Sequence, residues 1–307
     1  MNFQSELQEK TKEAEEIICR YLPKEKGFAA HLAEAMNYSV CSGGKRLRPI
    51  LLGETFRLFS GSGHVAEPFM AAIEMIHTHS LVHDDLPALD NDDYRRGRLT
   101  THKVYGEAMG VLSGAALLNY AYETMLKAFA LTERPQAVIR AMEIMTHNTG
   151  LYGMLGGQSV DVENDGNPVS REILDYIYEN KTSALIQASM LTGAVLAGAD
   201  ERELAVIDQA AKNIGLAFQI RDDILDVTSS QEELGKPVHS DEKNNKTTYV
   251  TLMGISKASE RVADLSGEAV ALLDSLGRKN EFLDTLVREL VGRRKCKKDT
   301  DVSGKDK

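Results

Sequence analysis

A helical repeat of hydrophobic residues runs through almost the whole chain, and it limits the fold more than any other feature. In residues 5–20, for example, Leu7, Ala14 and Ile18 share one face of a helix, and Glu and Lys occupy the opposite face. The pattern recurs in ten further segments, which are residues 28–40, 48–60, 66–83, 104–130, 137–154, 171–198, 201–227, 246–254, 258–276 and 280–293. Strand signals are nearly absent, because no segment sustains an alternation of apolar and polar residues. The sequence therefore predicts an all-α fold with a buried helical core.

The segments that interrupt this pattern are short, and none has the length or the Ser/Pro content of an interdomain linker. They are residues 41–46, 60–64, 87–100, 163–169 and 229–245. We therefore predict one large domain over residues 1–293. Residues 294–307 are polar and of mixed charge, and we predict that this C-terminal tail is disordered.

The charge balance argues against a nucleic-acid-binding protein. The 307 residues include 46 Asp and Glu against 36 Lys and Arg, a net charge of −10, whereas nucleic-acid-binding surfaces are basic. Three scattered cysteines are too few for a disulfide framework, which is typical of a reducing compartment. The N-terminal residues are too acidic for a signal peptide, and the most apolar stretch, 184–199, is too short to span a membrane. We predict a cytoplasmic protein with no nucleic-acid partner and no membrane span.

The first concentration of acidic residues follows an apolar helical run. Asp84 and Asp85 come directly after Leu81 and Val82, and carboxylates at the end of a buried helix are costly unless cations neutralise them. Pro87 disfavours a continuous helix after them, so the chain can turn and bring Asp90 back beside Asp84. An oxygen-only ligand set favours a hard metal ion, Mg²⁺ before Zn²⁺. The alternative to metal binding is that these acidic residues form the solvent-exposed end of a helix.

A second acidic cluster has the same form. Asp222 and Asp226 are four residues apart and share a helix face, with Asp223 beside them, and again an apolar run precedes them. Like charges at this spacing destabilise a bare helix, and a bound cation removes that penalty. If the two clusters face each other, they form a two-sided acidic clamp that can hold several Mg²⁺ ions.

Basic residues near both clusters predict an anionic substrate, because Mg²⁺ is commonly bound between carboxylates and substrate phosphates. The candidates are Lys45, Arg46 and Arg48 on a Gly-rich loop entering a helix, Arg95 and Arg96 after the first cluster, Lys181 in an apolar helix, and Lys236, Lys243 and Lys246 on the loop after the second cluster. For Arg46 and Lys243 alone, an ordinary surface charge is the favoured interpretation. Together the others indicate two anionic groups, one held through metal and one by direct Arg and Lys contacts.

In combination these motifs resemble those of the trans-isoprenyl diphosphate synthases, or polyprenyl synthetases. DDLPALD with the RRG that follows it resembles the family's first aspartate-rich motif, and DDILD resembles the second. GGKRLRP, the histidine in MIHTHSLVHDD, GGQSVDVE, KTSALI and the FQIRDDILDV…GKP stretch occur in the family's order, across roughly residues 30–260. The four residues between Asp85 and Asp90 are similar to the bacterial farnesyl diphosphate synthase (geranyltranstransferase) branch.

This resemblance implies an isoprenoid synthase fold, in which a helical bundle surrounds a central cavity, and a homodimer. It implies a prenyltransferase that condenses isopentenyl diphosphate with dimethylallyl or geranyl diphosphate, gives farnesyl diphosphate and releases diphosphate. Three Mg²⁺ ions per site would hold the allylic diphosphate. Their implied ligands are Asp84, Asp85, Asp90, Asp222, Asp223 and Asp226.

The resemblance also implies roles for the other motif residues. Direct contacts to the allylic diphosphate are implied for Arg95, Lys181 and Lys236, and Lys246 on the same loop is a further substrate-binding candidate. The isopentenyl diphosphate pocket is implied for Lys45, Arg48, His77 and Arg96. Thr182 and Gln219 would face the developing allylic cation, and Gln158 and Asp161 would support the diphosphate. We expect His83 and His147 to be structural.

Product length is implied to depend on residues just before the first motif, which form the floor of the cavity. Ser80 lies one helical turn before Asp84, and His79 stands where farnesyl-forming relatives usually carry Tyr or Phe. A fifteen-carbon product is favoured, and a geranylgeranyl (twenty-carbon) product is the main alternative. A non-catalytic subunit of a heteromeric synthase, a terpene cyclase and an HD-type phosphohydrolase are further alternatives, although both acidic motifs and GGKRLRP are intact.

Overall fold

A computed structural model describes residues 2–228 and 247–292, and these residues are almost entirely α-helical. The helices are α1 (Phe3–Tyr21), α2 (Ala30–Val40), α3 (Leu47–Leu58), α4 (Glu67–Asp84), α5 (Thr101–Tyr105), α6 (Glu107–Leu126), α7 (Pro135–Thr149), α8 (Met154–Glu163), α9 (Arg171–Ile177), α10 (Ala184–Ala197), α11 (Glu201–Thr228), α12 (Tyr249–Ser275) and α13 (Glu281–Gly292). The all-α prediction is confirmed. Lys236, Lys246 and the predicted tail, 294–307, lie outside the described residues.

Three short elements connect the helices. An antiparallel hairpin, β1 (Tyr94–Arg95) and β2 (Arg98–Leu99), lies between α4 and α5. A 3₁₀ turn (Lys127–Leu131) follows α6. A π-helical segment (Tyr178–Ser183) joins α9 to α10, so the helix predicted over 171–198 changes its winding in the middle.

Glycines account for two further differences from the helices that the sequence predicts. The helix predicted over 137–154 ends at Thr149, and the separate helix α8 then covers the GGQSVDVE motif. The helices predicted over 246–254 and 258–276 are joined in α12, which is kinked at Gly254. Gly254 has φ +80°, a left-handed backbone conformation that glycine adopts without the strain of a Cβ.

Helices α4 and α10 form the centre of the molecule. Both are apolar on nearly all sides, as is typical of helices that are surrounded by others. At Gly193 the backbone of α10 approaches α3 so closely that a Cβ would lie less than 3.0 Å from the Leu52 carbonyl oxygen. Within residues 2–228 and 247–292, no helix combines the length and the apolarity that a bilayer crossing requires.

Arg46 is buried, and the surface-charge interpretation of this residue is wrong. It has φ +49° at the start of α3, and only 4% of its surface is exposed. Its Nη1 donates to Glu74 Oε1 at 2.6 Å, and its Nη2 donates to the Val40 carbonyl at 2.8 Å. Glu74 lies in the middle of α4, so this ion pair fixes the loop before α3 against the central helix that ends in the first acidic cluster.

Candidate functional site

The first acidic cluster forms a tight turn at the end of α4. Asp84 is the last residue of the helix and Asp85 caps it. The chain then reverses over Pro87, and the Asp90 amide donates to the Asp84 carbonyl at 2.8 Å. The turn that the sequence predicts is therefore present, and it returns Asp90 to the end of α4.

Burial makes the charged forms of two of these carboxyl groups unfavourable. The pKa of Asp84 is raised to about 6 by burial, against the opposing effect of Lys181, and Asp90 and Asp85 raise it further. The pKa of Asp85 is also raised to about 6 by burial, although the Arg95 guanidinium lowers it through a bond of 2.6 Å. A divalent cation would stabilise the ionised forms of both groups, so this oxygen donor set fits Mg²⁺.

The second acidic cluster lies on α11, and its members face in different directions. Asp222 lines the same cavity as Asp84. Asp223 is buried. Its Oδ2 accepts hydrogen bonds from the hydroxyl of Tyr178 in the π-helical segment at 2.7 Å and from the amide of Tyr249 in α12 at 3.2 Å. Asp226 is buried as well. Asp223 therefore connects α11 to the first residue of α12.

The structure brings half of the predicted site residues to one cavity of about 510 Å³ between α4, α8, the π-helical segment and α11. Asp84 from the first cluster and Asp222 from the second both line it. The other predicted residues on its wall are Arg48, His77, His79, Ser80, Gln158, Lys181, Thr182 and Gln219. Residues outside the predicted site complete the wall, namely Leu81, His83, Leu89, Met154, Leu155, Leu185 and Phe218.

Several predicted residues lie in smaller hollows beside this cavity. Asp90 shares one with Gln158 and Asp161, which shows the first cluster facing α8. Asp223 shares another with Asp161, Lys181 and Thr182. Asp85, Arg95 and Arg96 line a third. Among the described residues, no three His, Cys, Asp or Glu side chains are already grouped as a metal site.

The π-helical segment presents Lys181 and Thr182 to the cavity. Lys181 Nζ bonds Asp161 Oδ2 on α8 at 2.5 Å, and Thr182 Oγ1 donates to Gln219 Oε1 on α11 at 2.9 Å. The close approach of the flanking helices depends on Gly157, where a Cβ would lie less than 3.0 Å from the backbone of this segment. A single π-helical turn is common at functional sites, because it redirects side chains within a helix.

On the wall of the cavity, His77 lies close to several arginines. Burial lowers the pKa of His77 well below its usual value, and Arg48 and Arg96 lower it further, so the imidazole is neutral. Burial also lowers the pKa of Arg48, to about 10, which leaves it charged at neutral pH. Arg48 Nε is buried, and no hydrogen-bond partner for it is found among the described residues. A buried donor in this state fits an anionic ligand.

The Gly-rich loop brings Arg96 into this arginine cluster. Arg96 Nη1 donates to the Gly43 carbonyl. Gly44 has φ +133°, a backbone conformation that residues with a side chain rarely adopt, and the missing Cβ leaves room for the Arg96 guanidinium. Lys45 is exposed and lines a different cleft, between α1 and α13. The structure thus brings Arg48, His77 and Arg96 together and places Lys45 apart from them.

Sequence reasoning missed the partners that hold the site residues in place. Tyr178 and Tyr249, whose rings stack 5.6 Å apart, hold Asp223. Tyr249 in turn donates from its hydroxyl to Asp175 on α9. These tyrosines are 45 and 26 residues away from Asp223 in sequence, and no local pattern links them. Tyr178 lies three residues before Lys181, and the sequence alone does not distinguish it from an ordinary core residue.

The raised pKa values predict that Mg²⁺ binding depends on pH. The metal must displace protons from Asp84 and Asp85. We therefore expect Mg²⁺ affinity to fall as the pH is lowered from about 7.5 to about 5.5, with a slope that approaches tenfold per pH unit for each carboxyl group. In the metal-free protein the folded state holds these protons more tightly than the unfolded state does, so their contribution to stability decreases as pH rises through 6. Mg²⁺ should therefore raise Tm more at the higher pH.

Thermal melts with and without Mg²⁺ at both pH values check this expectation. The matched control is Asp84→Asn combined with Asp85→Asn, which removes both titrating groups at nearly constant size and should flatten the pH dependence. An equal Mg²⁺ effect at both pH values in the unsubstituted protein would contradict the role of these carboxyl groups.

Comparison with known proteins identifies the family of this chain. The polyprenyl synthetase family model matches residues 29–281. Farnesyl diphosphate synthase from Geobacillus stearothermophilus is 44% identical over 257 residues, which cover 84% of this chain and 86% of that protein. Geranylgeranyl diphosphate synthase from Cyanophora paradoxa is 39% identical over 273 residues, which cover 87% of this chain and 89% of that protein.

A solved structure also resembles this fold. The geranyltransferase from Helicobacter pylori, complexed with magnesium and isoprenyl diphosphate, superimposes with a TM-score of 0.78 at 30% sequence identity. The match covers 95% of this chain and 97% of that one.

Proposed function

This chain belongs to the polyprenyl synthetase family, and from this premise we propose that it transfers a dimethylallyl or geranyl group from its diphosphate to isopentenyl diphosphate. The proposed product is farnesyl diphosphate, and diphosphate is released. One observation carries the proposal: Asp84 of the first acidic cluster and Asp222 of the second line a single cavity. Lys181 lines the same cavity.

The reaction begins when diphosphate leaves the allylic substrate. We propose three Mg²⁺ ions per site, which when bound neutralise the negative charge of the departing diphosphate. Their proposed ligands are Asp84, Asp85, Asp90, Asp222, Asp223 and Asp226. Asp223 Oδ2 already accepts two hydrogen bonds, so Asp223 also holds the start of α12.

Cationic side chains assist at the same end of the cavity. Lys181, bonded to Asp161, and Arg95, bonded to Asp85, carry positive charge to the acidic clusters. Both can contact a diphosphate there directly, and Gln158 supports it from α8. Lys236 and Lys246 are proposed to add further contacts from the loop after the second cluster.

Two oxygen-bearing side chains lie where the allylic cation would form. Thr182 Oγ1 donates a hydrogen bond to Gln219 Oε1, so the lone pairs of the threonine oxygen remain available to stabilise a nearby positive charge. Phe218 and Leu185 line the same cavity. An apolar wall excludes water, which would otherwise capture the cation.

Isopentenyl diphosphate is proposed to bind in the arginine cluster, with its diphosphate on Arg48 and Arg96. His77 is neutral there, so it can form a hydrogen bond with the substrate while the arginines supply the positive charge. Lys45 is a more distant candidate, because it lines another cleft. The double bond attacks the allylic cation, and the diphosphate released in the first step is the proposed acceptor of the proton that leaves.

Product length and assembly are further parts of the proposal. His79 and Ser80 line the cavity on α4 below Asp84, as floor residues would. We favour a fifteen-carbon product, with a twenty-carbon product as the alternative that the geranylgeranyl synthase relative supports. We also propose a cytoplasmic homodimer that buries the exposed apolar residues Val111 and Leu112 of α6, which sedimentation can test.

An elongation assay tests the function. The protein is incubated with Mg²⁺, labelled isopentenyl diphosphate and either dimethylallyl, geranyl or farnesyl diphosphate, and the chain length of the product is measured. We expect fifteen-carbon product from the two shorter primers and none when Mg²⁺ is chelated. Absence of elongation with every primer would overturn the proposal. Twenty-carbon product from farnesyl diphosphate would instead assign geranylgeranyl synthesis.

A further inference from the structure

Two histidines of α4 face the backbone of α6. His79 and His83 are one helical turn apart, and their rings meet edge to face with centroids 4.7 Å apart. His79 Nδ1 lies 2.9 Å from the Gly114 carbonyl oxygen, and His83 Nε2 lies 3.1 Å from the Val111 carbonyl oxygen. Because a carbonyl oxygen only accepts, each of these ring nitrogens carries a proton and donates. Both rings are thereby oriented by α6.

The ring of His83 occupies the space that a side chain at position 114 would fill. A Cβ at Gly114 would lie less than 3.0 Å from both Nε2 and Cδ2 of His83, closer than real Cβ atoms approach other atoms. The obstacle is the rigid imidazole ring of a partly buried side chain, which cannot fold away as the end of a long flexible side chain can. Any residue other than glycine at this position must therefore move His83.

Displacement of the His83 ring from α6 affects the main cavity. This ring also forms part of the wall of the main cavity, together with His79 and Ser80, so displacement away from α6 carries it into the space that holds the growing prenyl chain. His83 is thus not only a structural residue at the helix contact. The identity of residue 114 controls how far the imidazole projects into the cavity.

We propose that Gly114 is a specificity-determining position that sets product length indirectly, by allowing the His83 ring to lie against α6 and out of the cavity. This proposal rests on the proposed prenyl-chain elongation. The ligand that the wall limits is the hydrocarbon tail of the allylic diphosphate. Neither residue contacts the reacting diphosphate in this account, so both act on chain length rather than on the bond-forming step.

Product analysis of three variants tests the proposal. In Gly114→Ala the ring is expected to enter the cavity and raise the ratio of shorter to longer product by about tenfold, a typical effect of one methyl group in an apolar pocket. In His83→Ala the wall is removed, and longer products should increase. The double variant should resemble His83→Ala, because no ring remains to be displaced.

Gly110→Ala is the matched control. Gly110 lies one turn earlier on α6, and its Cβ would meet Leu86 at 2.9 Å instead of His83, so the product ratio should not change. A folded Gly114→Ala protein with an unchanged ratio would overturn the proposal. If that variant does not fold, an unchanged product ratio in His83→Ala would overturn it. Failure of the unsubstituted protein to elongate any primer would instead refute the proposed function.

Discussion

Asp222→Ala is expected to lower kcat by about a thousandfold, the scale of losing a main electrostatic contact to a leaving group. Asp222 is the member of the second cluster that lines the cavity shared with Asp84, so its removal opens one side of the acidic clamp. The loss should come without a lower Tm, because the substitution removes a like charge at i,i+4 from Asp226. Steady-state kinetics with geranyl and isopentenyl diphosphate at saturating Mg²⁺ measure the effect.

Asp208→Ala provides the control for this substitution. Asp208 is on the same helix and exposed, and its carboxylate accepts a hydrogen bond from Gln187 at 2.7 Å, away from the cavity. We expect its kcat to equal that of the unsubstituted protein. Asp84→Ala should be as inactive as Asp222→Ala, since the two residues form opposite sides of one clamp. Full activity of Asp222→Ala beside an inactive Asp84→Ala would refute the two-sided model.

The long central helices were predictable because burial imposes a strong period on their sequences. Helix α4 covers Glu67–Asp84 where 66–83 was predicted, and α11 covers Glu201–Thr228 where 201–227 was predicted. The turn that returns Asp90 to Asp84 was predictable for a different reason, because Pro87 limits the local backbone. In each case the determining interaction is encoded within a few residues.

Features that depend on contacts between distant segments were not predictable. The π-helical turn at Lys181 and Thr182 depends on close packing against Gly157 of α8, and its hydrophobic pattern does not differ from that of an α-helix. Arg46 looks like a surface charge until Glu74, 28 residues later, is placed beside it. The same limit hid the contact between His83 and Gly114, which is set by how α4 packs on α6.

The second large effect is expected at Arg48. Arg48→Ala should raise KM for isopentenyl diphosphate by about a hundredfold, because a hydrogen bond between charged groups contributes ~1.5–3 kcal/mol and more than one would be lost. KM for the allylic diphosphate should change little, since that substrate is proposed to bind at the acidic clusters. Arg48→Lys should give an intermediate KM, because lysine keeps the charge but not the paired donors of the guanidinium.

The Arg48→Ala substitution should also have an effect that can be measured without substrate. Arg48 lowers the pKa of His77, so Arg48→Ala is expected to raise that pKa, although burial still holds it below the usual value; NMR titration of the imidazole measures this. Arg57→Ala is the matched control, because Arg57 is on the same helix but pairs with Glu54 and Glu13 at 2.5 Å. In this variant neither KM nor the pKa of His77 should change. A rise in KM for the allylic substrate alone would place the isopentenyl diphosphate pocket elsewhere. Equal rises for both substrates would mean that Arg48 serves the cavity as a whole, and the separation of the two diphosphate sites would then be wrong.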